Sequence, residues 1–241
     1  MWPFKSVKSL RESGMFVGFT DWHSHILPGV DDGIKTLEDS LAVLRAYEEL
    51  GFKRVWLTPH IMEDYPNTPE ELKSKFDELR KAWTGNVELR LAAENMLDGL
   101  FDERLEAGDL LPIGDEGQHL LVETSYYTPP IDFDGKLERI KSKGYYPVLA
   151  HPERYRYMEE NDYKRLKEND IIFQMNFASL VGGYGETAQK KAEWLLKNNM
   201  VDLVGSDVHR LNATAQMTEL KPRKQLSLDR LLEISGKSEI V

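Results

Sequence analysis

The chain contains no cysteine. That excludes disulfides, thiolate metal sites and any thiol nucleophile, and leaves only nitrogen and oxygen donors for a bound metal. Positive charge is in short supply: 31 Lys and Arg stand against 41 Asp and Glu, a formal net charge of -10. Phosphate backbones attract Lys/Arg-rich faces, so nucleic acid is disfavoured as a partner. No stretch approaches the ~20 apolar residues of a membrane span. The opening residues, MWPFKSVKSLRESGMFVGF, lack an apolar run of signal-peptide length. A cytoplasmic location without membrane insertion is expected. There is no Ser/Pro-rich linker and no low-complexity tract, so one domain is expected over residues 16–241, preceded by a mobile or surface-docked leader over residues 1–15. The 241 residues are 41% hydrophobic and 30% charged, enough for a folded core with a soluble surface.

What is present is alternation. Strand-like runs at 17–22, 54–57, 87–92, 120–123, 147–150, 171–175 and 201–205 are separated by segments with helical spacing. Thr36 caps a helix that Gly51 ends. Thr68-Pro69-Glu70-Glu71 is a capping box with proline at the first helical position, opening a helix through Trp83. Shorter helices are expected near 100–105, 137–143, 163–168, 187–198 and 226–234. Strands alternating with helices imply parallel pairing. Seven β–α units suit a (β/α)7 barrel of the TIM-like kind, with an open doubly wound sheet as the alternative.

The unusual polar residues share one position in this alternation. His23 and His25 follow the first strand, His60 the second, Glu94 the third. Glu123 ends the fourth, His151 follows the fifth, and Asp207 and His209 follow the seventh. In a β/α barrel the strand C-termini open on one face, which carries the chemistry. Side chains two apart on extended backbone point the same way, so His23/His25 and Asp207/His209 can each converge on an ion. Asp31-Asp32-Gly33 adds a carboxylate re-aimed by a tight turn. A histidine-carboxylate set suits Zn²⁺, Mn²⁺ or Fe²⁺ and is too nitrogen-rich for Ca²⁺. Five of the six histidines fall at strand ends. The sixth, His119, precedes the fourth strand and reads as structural or surface. By alternation, Trp22 points away from its histidine neighbours, into the core between barrel and helices. Tyr65, Tyr126, Tyr127 and Tyr155 lie in loops beside these motifs, either to stack on an aromatic ligand or simply to pack.

The segment Asp21-Trp22-His23-Ser24-His25-Ile26-Leu27-Pro28-Gly29-Val30-Asp31-Asp32-Gly33 resembles the first motif of the PHP (polymerase and histidinol phosphatase) superfamily. Thr58-Pro59-His60, Ala93-Glu94, Val122-Glu123, Ala150-His151-Pro152-Glu153-Arg154-Tyr155 and Ser206-Asp207-Val208-His209 agree in order, over about residues 19 to 210. More narrowly the chain resembles the bacterial PHP-type protein tyrosine phosphatases associated with capsule and exopolysaccharide operons. The resemblance implies a distorted (β/α)7 barrel holding three divalent ions, Mn²⁺ first, Fe or Zn²⁺ as alternatives. It implies one ion on His23, His25 and Asp207, a second on Glu123 and His151 with Glu94 bridging the two, and a third on Asp32, His60 and His209. It also implies hydrolysis of a phosphotyrosyl protein, a tyrosine kinase of polysaccharide export, by hydroxide that the metals activate. Arg154 matches a family position for holding phosphate. Members often carry another arginine several residues after the last ligand. Here the stretch reads His209-Arg210-Leu211-Asn212-Ala213-Thr214, so Arg210 is the candidate to take that part. The rival expectations are a PHP phosphatase of a small ester such as histidinol phosphate, a nuclease, and a metal-stabilised binding protein without catalysis.

Overall fold

A computed structural model of the chain describes residues 6–236 and 240, apart from the side chains of 214–217. Its strands are β1 (Thr20–Asp21), β2 (Arg54–Leu57), β3 (His60–Ile61), β4 (Glu88–Leu91), β5 (Glu94–Met96), β6 (His119–Glu123), β7 (Tyr146–Ala150), β8 (Ile172–Asn176) and β9 (Leu203–Gly205). All pairings between them are parallel, in the orders β1-β2-β4 and β3-β5-β6-β7-β8-β9. β2 runs into β3 and β4 into β5 after two-residue breaks, so the strands form seven staves, as the alternation predicts. The first stave also meets the last. Ser24 bridges Val208 in parallel, the Trp22 N–H donates to Val204 O, and the Asp207 N–H donates to His23 O at 2.8 Å. The seven staves therefore close into a barrel, and the open-sheet alternative is set aside.

The helices are α1 (Leu10–Ser13) before the first stave, then α2 (Leu37–Leu50), α3 (Pro69–Ala82), α4 (Gly99–Ala107), α5 (Phe133–Ser142), α6 (Glu160–Glu168), α7 (Phe177–Leu180) and α8 (Gly185–Lys197) between staves, and α9 (Leu211–Thr218) and α10 (Gln225–Ser235) after the last. Local chemistry sets their ends. Thr36 accepts from the Asp39 N–H, and Gly51 closes α2 at φ 94°. Thr68 and Glu71 form the reciprocal capping box of α3, with Pro69 in its first turn. The expected leader contains α1, which has its own capping box between Ser9 and Glu12. There Leu10 is fully buried and its N–H donates to Leu220 O. Residues 1–5 lie outside the described ones.

The core has two parts. The larger fills the space between barrel and helices and contains Val55, Leu57, Leu120, Val122, Leu149 and Val204. A smaller cluster lies inside the barrel and takes the alternate strand residues: Trp56, Ala92, Leu121, Val148, Ala150 and Leu203. Trp22 belongs to this inner cluster, stacked on Trp56 with ring centroids 6.1 Å apart. That corrects its expected place outside the barrel. The first ladder breaks after Asp21, whose Oδ1 accepts the N–H groups of His23 and Ser206. Strict alternation therefore does not carry from Trp22 to His23. The first strand is shorter than the run 17–22 at both ends: this break cuts off Trp22, and turn bonds from Val17 to Gly14 and from Phe19 to Phe16 hold residues 17–19 out of the ladder.

The inner wall is tight where the last stave passes the first. A Cβ at Gly205 would sit 2.6 Å from His23 Cβ and 2.8 Å from Gln174 Nε2. Gly205→Ala should destabilise the protein by about 1–3 kcal/mol through overpacking. Thermal unfolding checks this; an unchanged Tm would mean that the wall has room to yield.

Candidate metal centre

The residues expected at strand ends do meet there. His60 and Glu94 begin β3 and β5, and these two residues pair directly across the ladder. Glu123 ends β6, His151 follows β7, and Asp207 and His209 follow β9. Two of these positions are backbone-strained: His151 has φ 35° and Asp207 φ 53°, left-handed values that non-glycine residues rarely adopt. Each is pinned by a main-chain bond, His151 N–H to Gln174 O and Asp207 N–H to His23 O. Gly33 is required by close approach: a Cβ there would lie 2.5 Å from His25 Cβ.

Directed hydrogen bonds fix how the imidazoles face. Asp207 Oδ2 can only accept, so it takes an N–H of the Asn176 amide at 2.7 Å. Asn176 Oδ1 then accepts from Gln174 Nε2 at 3.0 Å, and Gln174 Oε1 accepts from His23 Nδ1 at 2.7 Å. His23 is thereby protonated on Nδ1 and presents Nε2. His25 donates Nδ1–H to Asp31 Oδ2 at 2.8 Å, and His209 donates Nδ1–H to the Asp207 carbonyl at 2.9 Å; both present Nε2 inward.

The Nε2 atoms of His23 and His25 end up 3.1 Å apart. Glu94 Oε2 lies 3.1 and 3.3 Å from them, and Asp207 Oδ1 3.7 and 3.5 Å. Two nitrogen lone pairs and two carboxylate oxygens facing one point repel unless a cation lies between them. Separations of this size are the edges of a tetrahedron whose ligands sit about 2 Å from a common centre. Glu94 Oε2 and His60 Nδ1 are buried without a hydrogen-bond partner among the described residues, although His60 Nδ1 is 3.0 Å from Glu123 Oε1. The side chains gather into four overlapping groups with metal-ligand spacing: His23, His25 and Asp207; His25, Asp32, His60 and His209; His23, Glu94 and His151; His60, Glu94 and Glu123. The structure thus brings all nine expected ligands together. His119 lies apart from them at the start of β6, its ring packed on Tyr146.

Without metal, protons must hold the cluster. Burial alone would lower the His23 pKa, but Glu94 and Asp207 outweigh it and raise it to about 9. His60 is likewise raised to about 10, mainly by Glu94 and Glu123 against the cost of burial. Burial works against the charge on Glu94, yet His23 and His60 hold it well below its ordinary range. His209 holds Asp32 down at about 2, first through its hydrogen bond.

A cleft of about 690 Å³ opens onto this cluster; His60, His151, Arg154, Tyr184, His209 and Arg210 are among the residues that line it. Arg154 donates to Asp207 Oδ2 at 2.6 Å. Its guanidinium lies between the Tyr126 and Tyr184 rings, 4.4 and 4.1 Å from their centroids. Arg210 is exposed on the rim. Of the four tyrosines singled out by position, Tyr155 is fully buried core, Tyr65 lies beside His60, Tyr126 stacks on Arg154, and Tyr127 is exposed. Tyr184 carries no sequence signal, yet its hydroxyl donates to Asp207 Oδ2 at 3.0 Å. Asp31, Gln174 and Asn176 are further residues that sequence reasoning missed as orienters. Asp31 sits inside a recognised motif, but nothing local distinguishes Gln174 or Asn176 from ordinary strand residues.

Residues 19–223 match a protein family described as capsular polysaccharide synthesis, CpsB/CapC. The chain is 30% identical over 197 residues to the tyrosine-protein phosphatase YwqE of Bacillus subtilis (strain 168), covering 79% of this chain and 77% of that protein. It is 31% identical over 210 residues to the tyrosine-protein phosphatase CpsB of Streptococcus pneumoniae, covering 80% and 84%. Among solved structures, it matches one from work on YwqE and CpsB, described as metal-dependent tyrosine phosphatases, with a TM-score of 0.75 and 27% identity over 91% of this chain and 88% of the other. A histidinol phosphate phosphatase of Lactococcus lactis shares the fold at a TM-score of 0.52 and 14% identity, covering 93% of this chain and 96% of the other. The chain belongs to the CpsB/CapC family.

Proposed function

We propose that this chain is a metal-dependent protein tyrosine phosphatase. The observation that carries the proposal is the pair of inward-facing imidazole nitrogens 3.1 Å apart, with the unpartnered Glu94 carboxylate oxygen beside them, in a family whose named relatives are tyrosine phosphatases. His23, His25 and Asp207 would hold one divalent ion, Glu123 and His151 a second with Glu94 between the two, and Asp32, His60 and His209 a third. The resemblance to PHP-type phosphatases makes Mn²⁺ the first choice, and the histidine-carboxylate set also suits Fe²⁺ or Zn²⁺. Ions bound there supply a water of lowered pKa and offset charge on the phosphoryl oxygens.

The protein's own part is positioning. Arg154 is held against the Tyr126 and Tyr184 rings and lines the cleft, placed to orient phosphate. Arg210, exposed and lining the same cleft next to His209 in sequence, is the second candidate. A phenolate leaves readily, its conjugate acid having a pKa of about 10, so a phosphotyrosyl ester needs little help from a general acid. We take the substrate to be a tyrosine kinase of polysaccharide export, in keeping with the family's place in capsular synthesis. We place the enzyme in the cytoplasm, where the kinase taken as its substrate would be phosphorylated; none of the described helices is long and apolar enough to cross a membrane.

Purified protein supplied with Mn²⁺ should hydrolyse a phosphotyrosyl peptide in preference to a phosphoseryl peptide and to histidinol phosphate. EDTA should abolish turnover, and iodoacetamide should leave it intact. A preference for histidinol phosphate would overturn the tyrosine reading. Gln174→Ala frees the ring of His23 and should weaken metal affinity by about 10- to 100-fold, measured by competition with a metallochromic chelator.

Metal loading should release protons. With folded values of about 9 and 10, His23 and His60 are protonated near pH 7.5 in the metal-free protein, and both must lose those protons to bind. About two protons should appear in a weakly buffered titration with a pH indicator. Apparent affinity should rise with pH until about 9–10. Because these values lie above the ordinary 6.5, the protonated histidines stabilise the metal-free fold fully below pH 6.5. That contribution is lost as pH rises through 9–10. The metal-free Tm should fall over that range, and the metal-loaded Tm should fall less.

A further inference from the structure

A second cleft of about 530 Å³ lies beside the first. The two share Tyr126, Arg154 and Tyr184, so a chain leaving the metal centre across Arg154 enters it directly. Its far wall carries Tyr127, Arg156 and Glu186. The wall is built rather than incidental: the Arg156 N–H donates to the Tyr126 carbonyl at 2.8 Å, which ties the loop after β7 to the loop after β6. The Arg156 guanidinium lies 4.8 Å from the Tyr127 ring centroid. Both side chains are exposed.

The charges here are unequal in what they leave free. Arg154 is paired with Asp207 and lines the metal-side cleft as well. Glu186 is met by Lys190 at 3.0 Å and by Arg223 at 3.9 Å. Glu153 is buried and accepts from Ser179 and the Asn176 N–H. Arg156 has no carboxylate partner among the described residues. It is thus a free cation on a protein of net charge -10, so an acidic segment is repelled by much of the surface and drawn to this spot.

We infer that this second cleft receives the residues flanking the phosphotyrosine, and that Arg156, braced on Tyr127, selects an acidic side chain there. The inference rests on the phosphatase reading and adds its sequence preference. Arg156 acts as a specificity residue, several residues of peptide away from the reacting phosphorus.

The test compares two phosphotyrosyl peptides, one with glutamates on both flanks and one with serines in their place, using Mn²⁺-loaded protein and p-nitrophenyl phosphate as a small reference substrate. Wild type should favour the acidic peptide in kcat/KM by about fivefold, the size of one exposed ion pair, with the difference carried by KM. The ratio should fall to about one in Arg156→Ala and below one in Arg156→Glu, and should shrink at 0.5 M salt. Equal handling of both peptides by wild type, or an unchanged ratio in Arg156→Glu, overturns the inference while turnover of p-nitrophenyl phosphate keeps the phosphatase reading standing. Absence of all turnover overturns both.

Discussion

Everything at the open end of this barrel answers to one electrostatic constraint: five imidazoles and four carboxylates crowd together, all of them buried except Asp32 and His209. Desolvation makes each charged form costly, and only opposite charge nearby offsets it. Without a metal, protons on His23 and His60 supply part of that charge, which is why their pKa values rise despite burial. A divalent cation supplies more charge from one point. It also resolves what protons leave awkward, namely two Nε2 atoms and an unpartnered Glu94 oxygen aimed at the same place. The rest of the site reads as the means of holding these groups against their mutual repulsion.

Those means are backbone and second-rank side chains. His151 and Asp207 occupy left-handed backbone, a local cost that the surrounding barrel must sustain. The closure between first and last staves does this for Asp207, whose N–H bonds to the His23 carbonyl. Three donors, from Arg154, Asn176 and Tyr184, converge on Asp207 Oδ2. Burial and the neighbouring Asp207 keep the Tyr184 hydroxyl protonated, so it donates reliably. With Oδ2 so occupied, Oδ1 is the oxygen left to face His23 and His25.

Much of this was legible before the fold was known. Alternating hydrophobic patterns placed seven strands, and the histidines and carboxylates at the ends of six of them marked a common face. Capping at Thr36 and Thr68 set helix starts because the chemistry is local. What was not legible depended on contacts between distant segments. Trp22 was placed on the wrong side because a side-chain carboxylate, Asp21, interrupts the ladder that alternation assumes. Gln174, Asn176 and Tyr184 look like ordinary strand or loop residues; only the folded barrel puts them against His23 and Asp207. Tyr155, which flanks the same motifs as Tyr126, turned out to be core, since position beside a motif does not determine which way a ring faces.

Asp207 also joins two parts of the molecule that sequence order keeps separate. Arg154 and Tyr184 anchor its outer oxygen and at the same time form the wall between the metal-lined cleft and the second cleft. A phosphate drawing Arg154 toward itself would remove one of three donors from Asp207 while Asn176 and Tyr184 remain. The ligand's aim would therefore persist as the arginine turns to the substrate. Redundancy at Oδ2 lets one guanidinium serve structure before substrate arrives and binding afterwards, without loosening the centre it borders.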